Sequence, residues 1–89
     1  MSYTLILDDW LEYDIKKLEA KQNPKNFLCT EAWERIFLTH KIQQHHPQLS
    51  HQHISTAIRE CCIALKSPHP RDSFVRFVCM KLDISVFSE

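Results

Sequence analysis

Histidine and cysteine are the residues of this sequence with the clearest potential for chemistry. All six histidines fall between His40 and His69, and two of the four cysteines lie in the same segment. Zinc is usually held by four nitrogen or sulfur ligands that come from two close pairs. On one helix, however, His53 and Cys61 would stand about 12 Å apart along the axis, too far to share one ion. We therefore predict no metal site.

Cysteine could also serve as a nucleophile. Only Cys29 precedes a predicted helix closely enough for the helix dipole to favour its thiolate. No pattern sets a base beside it, and a chain of 89 residues has few loops from which to shape a pocket. We predict that the protein is not an enzyme, has no catalytic residue and binds no cofactor. Three of the cysteines lie in apolar segments, which predicts reduced thiols in the core.

The absence of glycine restricts the fold. Glycine supplies positive φ angles at tight turns and lets backbone approach a phosphate closely, so glycine-rich nucleotide loops and the favoured hairpin turns are excluded. Apolar residues make up 44% of the sequence, which is ordinary for a globular protein. We predict a single small globular domain over residues 1–89. It is mainly α-helical, a compact bundle of three or four helices.

The first helix is predicted to begin near Asp9, whose carboxylate suits a helix N-terminus. Leu11, Ile15 and Leu18 then recur at helical spacing and form its predicted buried stripe. The Asn-Pro dipeptide at 23–24 lies beyond its end, because proline cannot continue a helix.

The second helix is predicted to follow Thr30, a good N-cap, and to stop before Pro47. One of its faces is strongly apolar and aromatic, with one histidine, and we expect it to face the core: Trp33, Ile36, Phe37 and His40.

The third helix has the most regular pattern in the chain. Ser50 is its predicted N-cap, and an apolar stripe follows over three turns: Ile54, Ala57, Ile58, Cys61, Cys62 and Leu65. A fourth helix is predicted from Pro70, a favoured first helical residue. Apolar residues cover nearly all of its faces, so we expect it to be central and buried.

The two ends of the chain leave two structures open. Residues from Tyr3 to Leu7 have high β-propensity, and Met80 to Val86 alternate between apolar and polar with a period of two. The ends either pair as a small two-stranded sheet, or they extend the helices or form frayed tails. No apolar run is long enough to span a bilayer, and the N-terminus lacks the basic start of a signal peptide. We therefore expect no membrane association and a cytoplasmic location.

Charge and polar residues suggest one functional class. The second and third helices could form a helix-turn-helix whose third helix presents side chains that read base edges: Gln52, Ser55, Thr56 and Arg59. The formal net charge is zero, however, whereas DNA-binding domains usually carry a strong basic footprint. Nucleic-acid binding is therefore the alternative and not the preferred function.

Protein binding is the preferred function. Several apolar residues fall outside the predicted stripes and would form an exposed interface in so small a bundle. We predict a non-enzymatic interaction module, a small adaptor or regulator that binds a partner protein or forms a homo-oligomer. The candidate contact residues are Trp10, Tyr13, Leu38 and Ile63.

Overall fold

A computed structural model describes residues 4–6, 10–65, 69–84 and 87–88. It confirms the mainly helical class, with four helices in the described part of the chain. In chain order the elements are β1 (Thr4–Leu5), α1 (Leu11–Glu19), β2 (Asn26–Phe27), α2 (Ala32–His45), α3 (His51–Ala64), β3 (His69–Pro70), α4 (Arg71–Leu82) and β4 (Phe87–Ser88).

The chain termini pair as a small antiparallel sheet, as the first of the two alternatives proposed. Strand β1 pairs with β4, with Thr4 opposite Ser88 and Leu5 opposite Phe87. Strand β4 lies beyond the segment from Met80 to Val86 whose alternating pattern predicted a strand, and residues 85 and 86 of that segment lie outside the described part of the chain. The period-two pattern that begins at Met80 is wrong as a strand prediction at its start, because residues 80–82 form the last turn of α4.

A second two-stranded sheet joins the middle of the chain to α4 and was not predicted. Strands β2 and β3 are antiparallel, with Asn26 opposite Pro70 and Phe27 opposite His69. The Phe27 ring stacks on Phe74 at 4.6 Å between centroids, and the His69 ring lies 5.0 Å from the same ring. This aromatic stack anchors the start of α4 to the loop that precedes α2.

Helix α3 follows its sequence pattern closely and packs against both α2 and α4. The Ser50 hydroxyl accepts a hydrogen bond from the backbone N–H of His53 at 3.1 Å, so the predicted N-cap is confirmed. The first four residues of the predicted stripe are buried: Ile54, Ala57, Ile58 and Cys61. The other two, Cys62 and Leu65, are half-buried at the edge of the core.

Helix α1 contradicts the predicted orientation. The side chains of Leu11, Ile15 and Leu18 are 66%, 48% and 63% exposed. Tyr13 and Lys17 are the buried residues of the helix. The expected buried stripe is therefore wrong, and α1 turns its aliphatic face outward.

Helix α2 also differs from its predicted face. Ile36 and His40 are exposed, while Trp33 and Phe37 are only half-buried. The helix instead buries a mixed set that includes three polar residues: Glu34, Leu38, Thr39, Lys41 and Ile42. The prediction took the aromatic face of α2 as the buried one. The observed buried face lies beside it and contains Glu34, a carboxylate that the prediction had not placed in the core.

Helix α4 is buried on one side only, so the expectation that all of it lies in the core is wrong. Phe77 and Met80 are 38% and 76% exposed. The helix ends at Asp83, which adopts a left-handed conformation with φ 57°. Lys21, beyond the end of α1, has φ 58°. Non-glycine residues thus occupy two positions that glycine usually fills, and aspartate tolerates this conformation better than most residues.

The cysteines differ in part from the expectation of reduced thiols. Cys29 and Cys62 form a disulfide with their Cα atoms 5.7 Å apart, a separation typical of disulfides. Cys61 and Cys79 are free and buried. Burial raises the pKa of the Cys61 thiol and raises that of Cys79 to about 11, so both behave as neutral core residues.

Candidate partner-binding surface

The structure divides the four predicted contact residues into two groups. Trp10, Tyr13 and Leu38 are buried, with 4%, 0% and 0% exposure, whereas Ile63 is 80% exposed. A side chain sealed in the core cannot touch a partner, so the first three are corrected to core residues. Only Ile63 remains available at the surface.

An aromatic cluster between α1 and α2 explains why Trp10 and Tyr13 point inward. The Trp10 ring lies 4.8 Å from the Tyr13 ring in an edge-on arrangement and 5.0 Å from that of Phe37. Its indole N–H donates to the backbone carbonyl of Ile6 at 2.7 Å, which satisfies its polar atom inside the core. Tryptophan here joins the β1 end of the chain to the helices.

The carboxylate of Glu34 holds the buried side of α1. One of its oxygens accepts from the Tyr13 hydroxyl at 2.5 Å and from the backbone N–H of Leu28 at 3.0 Å. The other accepts from the Lys17 ammonium at 2.9 Å, and both charged side chains are fully buried. Burial and the hydrogen bond to Glu34 raise the pKa of Tyr13. Tyr13 therefore stays a neutral donor. The bonds from Tyr13 and Lys17 to Glu34 hold that side of α1 against α2.

Because that side of α1 is buried, the opposite side exposes an aliphatic surface formed by Leu11, Ile15 and Leu18. The three residues are four and three positions apart, which places them on one face of the helix. Each exposes about half or more of its side chain. A run of three aliphatic residues along one helix is more than the single exposed apolar residue that any surface carries. We call it the α1 outer face.

Acidic residues border the α1 outer face. Glu12 and Glu19 are exposed and directly follow the first and last of its aliphatic residues. Asp14 lies on the opposite border, where it accepts from Arg71 at 3.0 Å. The nearby Lys16 ammonium lies over the Trp33 ring at 4.8 Å, on the side toward α2. The border of the aliphatic strip is thus negative along the side of Glu12 and Glu19, whereas on the other side the charge of Asp14 is balanced by Arg71.

A second apolar region lies between α3 and α4. A cavity of about 330 Å³ there is lined by Cys61, Ala64, Phe77 and Met80, together with the charged side chains of Glu60 and Lys81. These last two side chains form an ion pair at 3.3 Å. The region is apolar in the middle, and its charged edge is internally neutralised.

The residues of the DNA-binding alternative share the solvent side of α3. Gln52, Thr56 and Arg59 are exposed, and Ser55 is half-buried. Ser55 and Arg59 also line a cavity of about 290 Å³ next to the disulfide. The sequence therefore identified an accessible row of polar side chains, but it did not identify the cavity that two of them share.

The histidines do not assemble a metal site in the described part of the chain. Within those residues there is no group of three or more histidine, cysteine, aspartate or glutamate side chains that could hold an ion. His40 and His51 come together across α2 and α3, with their rings 5.9 Å apart. His40 also lines a cavity of about 540 Å³ along α2, beside Glu12 and Phe37.

Comparison with known proteins adds no assignment. No protein-family model, curated protein or solved structure matches this chain. Among the described residues, no helix combines the length and the apolar character that crossing a membrane requires.

Proposed function

We propose that this protein is a non-enzymatic protein-interaction module, and that its α1 outer face binds an amphipathic helix with basic flanks on a partner protein. The observation that carries the proposal is the exposure of Leu11, Ile15 and Leu18 on one face of a helix whose other side is fixed in the core. Burying such a strip against a second apolar helix face is favourable, by about 25 cal/mol for each Å² removed from water.

The spacing of the strip suits a helical partner. Leu11, Ile15 and Leu18 follow the d, a and d positions of a heptad, the pattern by which two helices interlock along a narrow seam. Helix α1 is also held rigidly, since the buried Lys17–Glu34 ion pair fixes its rotation. A pre-oriented helix loses less conformational freedom on binding than a mobile one.

The charges favour a basic partner over a second copy. In a heptad, Glu12 and Glu19 occupy e positions and Asp14 occupies the g position beside the seam. Two antiparallel copies of α1 would therefore set the carboxylates of Glu12 and Glu19 against those of the other copy, which is unfavourable. In a parallel pair Glu19 would meet Asp14, whose charge Arg71 already balances, so no attraction favours a second copy. A partner helix with lysine or arginine beside its apolar stripe would instead meet opposite charges, which speeds and selects association.

The test uses two synthetic helical peptides with the same leucine and isoleucine stripe, one flanked by lysines and the other by glutamates. We expect the lysine peptide to bind in fluorescence anisotropy and its affinity to fall with added salt, because the flanking charges are exposed. Replacing Leu11, Ile15 and Leu18 by alanine should abolish binding. Alanine is the best helix former, so α1 should remain folded.

The matched control is Ile36→Ala on α2, since Ile36 has nearly the same exposure as Ile15, 51% against 48%. This variant should bind as the parent does. Equal binding of both peptides, or no effect of the triple variant, would contradict the proposed surface. Self-association in sedimentation that the triple variant abolishes would identify a second copy as the occupant. Nanomolar duplex DNA binding that Arg59→Ala weakens would favour the helix-turn-helix alternative.

The expected cytoplasmic location stays a proposal. Disulfides are rare in proteins of a reducing cytoplasm, except where they are transient or redox-sensing. The Cys29–Cys62 bond is compatible with that location only if it forms and breaks there. Alkylation of the protein in intact cells, before lysis, would show its state.

A further inference from the structure

The Cys29–Cys62 disulfide lies at the surface of the fold. Cys29 is in the loop before α2, and Cys62 is in the last turn of α3, so the bond ties that loop to α3. Both residues are half-buried and line a cavity of about 290 Å³, close to the lower size limit of small-molecule pockets. The two other cysteines, by contrast, are buried and have raised pKa values. Cys61 lines the apolar cavity between α3 and α4 but exposes no surface of its own, so the partly exposed S–S bond is the sulfur more open to a small molecule.

Two guanidinium groups share this cavity with the disulfide. Arg35 donates from its guanidinium to the backbone carbonyl of Cys29, so its charge is fixed beside that cysteine. Arg59 is exposed on α3, three residues before Cys62, and lines the same cavity together with Ser55. The described lining contains no carboxylate. Arginine has five N–H donors in a planar fork, so Arg35 keeps donors free for a second acceptor.

We propose that Cys29–Cys62 is a thiol-exchange site that accepts an anionic low-molecular-weight thiol, whose carboxylates Arg35 and Arg59 hold. The inference is independent of the α1 outer face. The cavity offers such a ligand two features, a half-buried S–S bond and a pair of cations without an acid among the described lining residues.

The exchange step balances without an external oxidant. The thiolate of the ligand attacks Sγ of Cys62, a new S–S bond forms there, and the bonding pair of the old S–S bond leaves on Sγ of Cys29. Cys29 is the better leaving sulfur, because it lies ahead of the α2 N-terminus and beside Arg35, where negative charge is stabilised. Cys62 lies at the C-terminal end of α3, which disfavours a thiolate. The product is a mixed disulfide on Cys62 and a thiolate on Cys29.

The experiment compares two probe thiols, glutathione, which is anionic, and cysteamine, which is cationic. Each is incubated with the disulfide form of the protein, and the mixture is quenched with acid. Intact-mass spectrometry then measures the rate of mixed-disulfide formation, and peptide mapping locates it. The ratio of the two rates in the parent is compared with the ratio in Arg59→Gln, so that differences in intrinsic thiol reactivity cancel.

We expect Arg59→Gln to lower the glutathione-to-cysteamine ratio by about three- to tenfold, because local charge of one sign raises the encounter rate of the oppositely charged reactant. The control Arg76→Gln changes another exposed arginine, on α4 and outside the lining of this cavity, and should leave the ratio unchanged. Modification should map to Cys62. An unchanged ratio in Arg59→Gln, the same change in Arg76→Gln, or a disulfide that resists millimolar glutathione in the folded protein would overturn the proposal.

Discussion

Helices α1 and α3 are both amphipathic, yet only α3 buries the aliphatic stripe that its sequence shows. Ile54, Ile58 and Cys61 face inward on α3, whereas Leu11 and Ile15 face outward on α1. The difference lies in the residues on the opposite face of each helix, which compete with the stripe for burial in the core. Opposite its stripe, α3 carries mainly polar side chains such as Gln52 and Arg59, and Ile63 is the one large apolar residue exposed there among the described residues. Opposite its aliphatic stripe, α1 carries Tyr13, with Trp10 at the start of the helix, and Lys17, whose ammonium pairs with the buried carboxylate of Glu34.

Helical periodicity thus identifies the candidate buried faces of a helix, but it does not show which of two candidate faces is the buried one. A second helical series on α1, Trp10, Tyr13 and Lys17, was visible in the sequence at spacings of three and four. Aromatic side chains bury more area than leucine, so this series gains more from the core. Lys17 makes this series resemble an exposed face, because a lysine is almost never fully buried unless it is paired.

The largest expected effect is the loss of the carboxylate that orients α1. Glu34→Ala should lower the free energy of unfolding by about 3–5 kcal/mol, since it leaves the Lys17 ammonium buried without its partner. Urea unfolding measures this loss. The control Glu12→Ala removes an exposed acid on α1 and should stay within about 0.5 kcal/mol. The double variant Lys17→Met/Glu34→Leu should recover part of the loss, and a single variant as stable as the parent would contradict the role of Glu34.

The next effect compares the two stripes directly. Ile58→Ala on α3 should destabilise the fold by about 2–4 kcal/mol, through lost burial and the cavity that remains. Ile15→Ala on α1 should change stability by no more than about 0.5 kcal/mol, because Ile15 is half exposed and alanine favours a helix. Equal losses in the two variants, measured from urea midpoints, would mean that α1 buries its aliphatic face after all.

A smaller effect distinguishes the starts of the two helices. Ser50 caps α3 with its side chain, whereas Trp10 at the start of α1 makes no side-chain cap. Ser50→Ala should therefore cost about 1 kcal/mol. Ser73→Ala, an exposed serine in the first turn of α4, serves as the control and should have little effect. The same small change in both variants would show that the cap contributes nothing measurable.

The smallest effect concerns pH and involves a single group, His69. Its imidazole is buried against Phe74, and its Nε2 has no hydrogen-bond partner among the described residues. Burial lowers the pKa of His69, so the unfolded chain binds the proton first as the pH falls. Stability should thus be fully present above the ordinary histidine pKa of about 6.5 and decline as the pH falls below it.

The variant His69→Phe keeps an aromatic ring on Phe74 and removes the titrating group. The difference in unfolding free energy between pH 7.5 and pH 5.5 should be smaller in this variant than in the parent. His53→Ala removes an exposed histidine and should leave the difference as in the parent. An identical pH dependence in parent and His69→Phe would contradict the assignment of this effect to His69.

The sequence by itself determined the helical class, the Ser50 cap and the buried face of α3, whereas it left the pairing of the termini as one of two alternatives. The first three follow from local rules, namely helical periodicity, capping chemistry and the absence of glycine. The end of α2 before Pro47 and the start of α4 beside Pro70 also followed from the sequence, since proline acts on its own backbone. The predicted Thr30 cap is wrong, because the N-cap of α2 is Glu31, which makes no side-chain cap hydrogen bond.

Tertiary structure decided the rest, because it concerns residues far apart in the chain. Cys29 and Cys62 lie 33 residues apart, and no spacing rule pairs them. Lys17 and Glu34 are neutralised only when α1 meets α2, and that contact turns Leu11, Ile15 and Leu18 to the outside. The α1 outer face is therefore exposed because the opposite face of α1 is buried, and it is buried because Lys17 pairs there with Glu34 on α2.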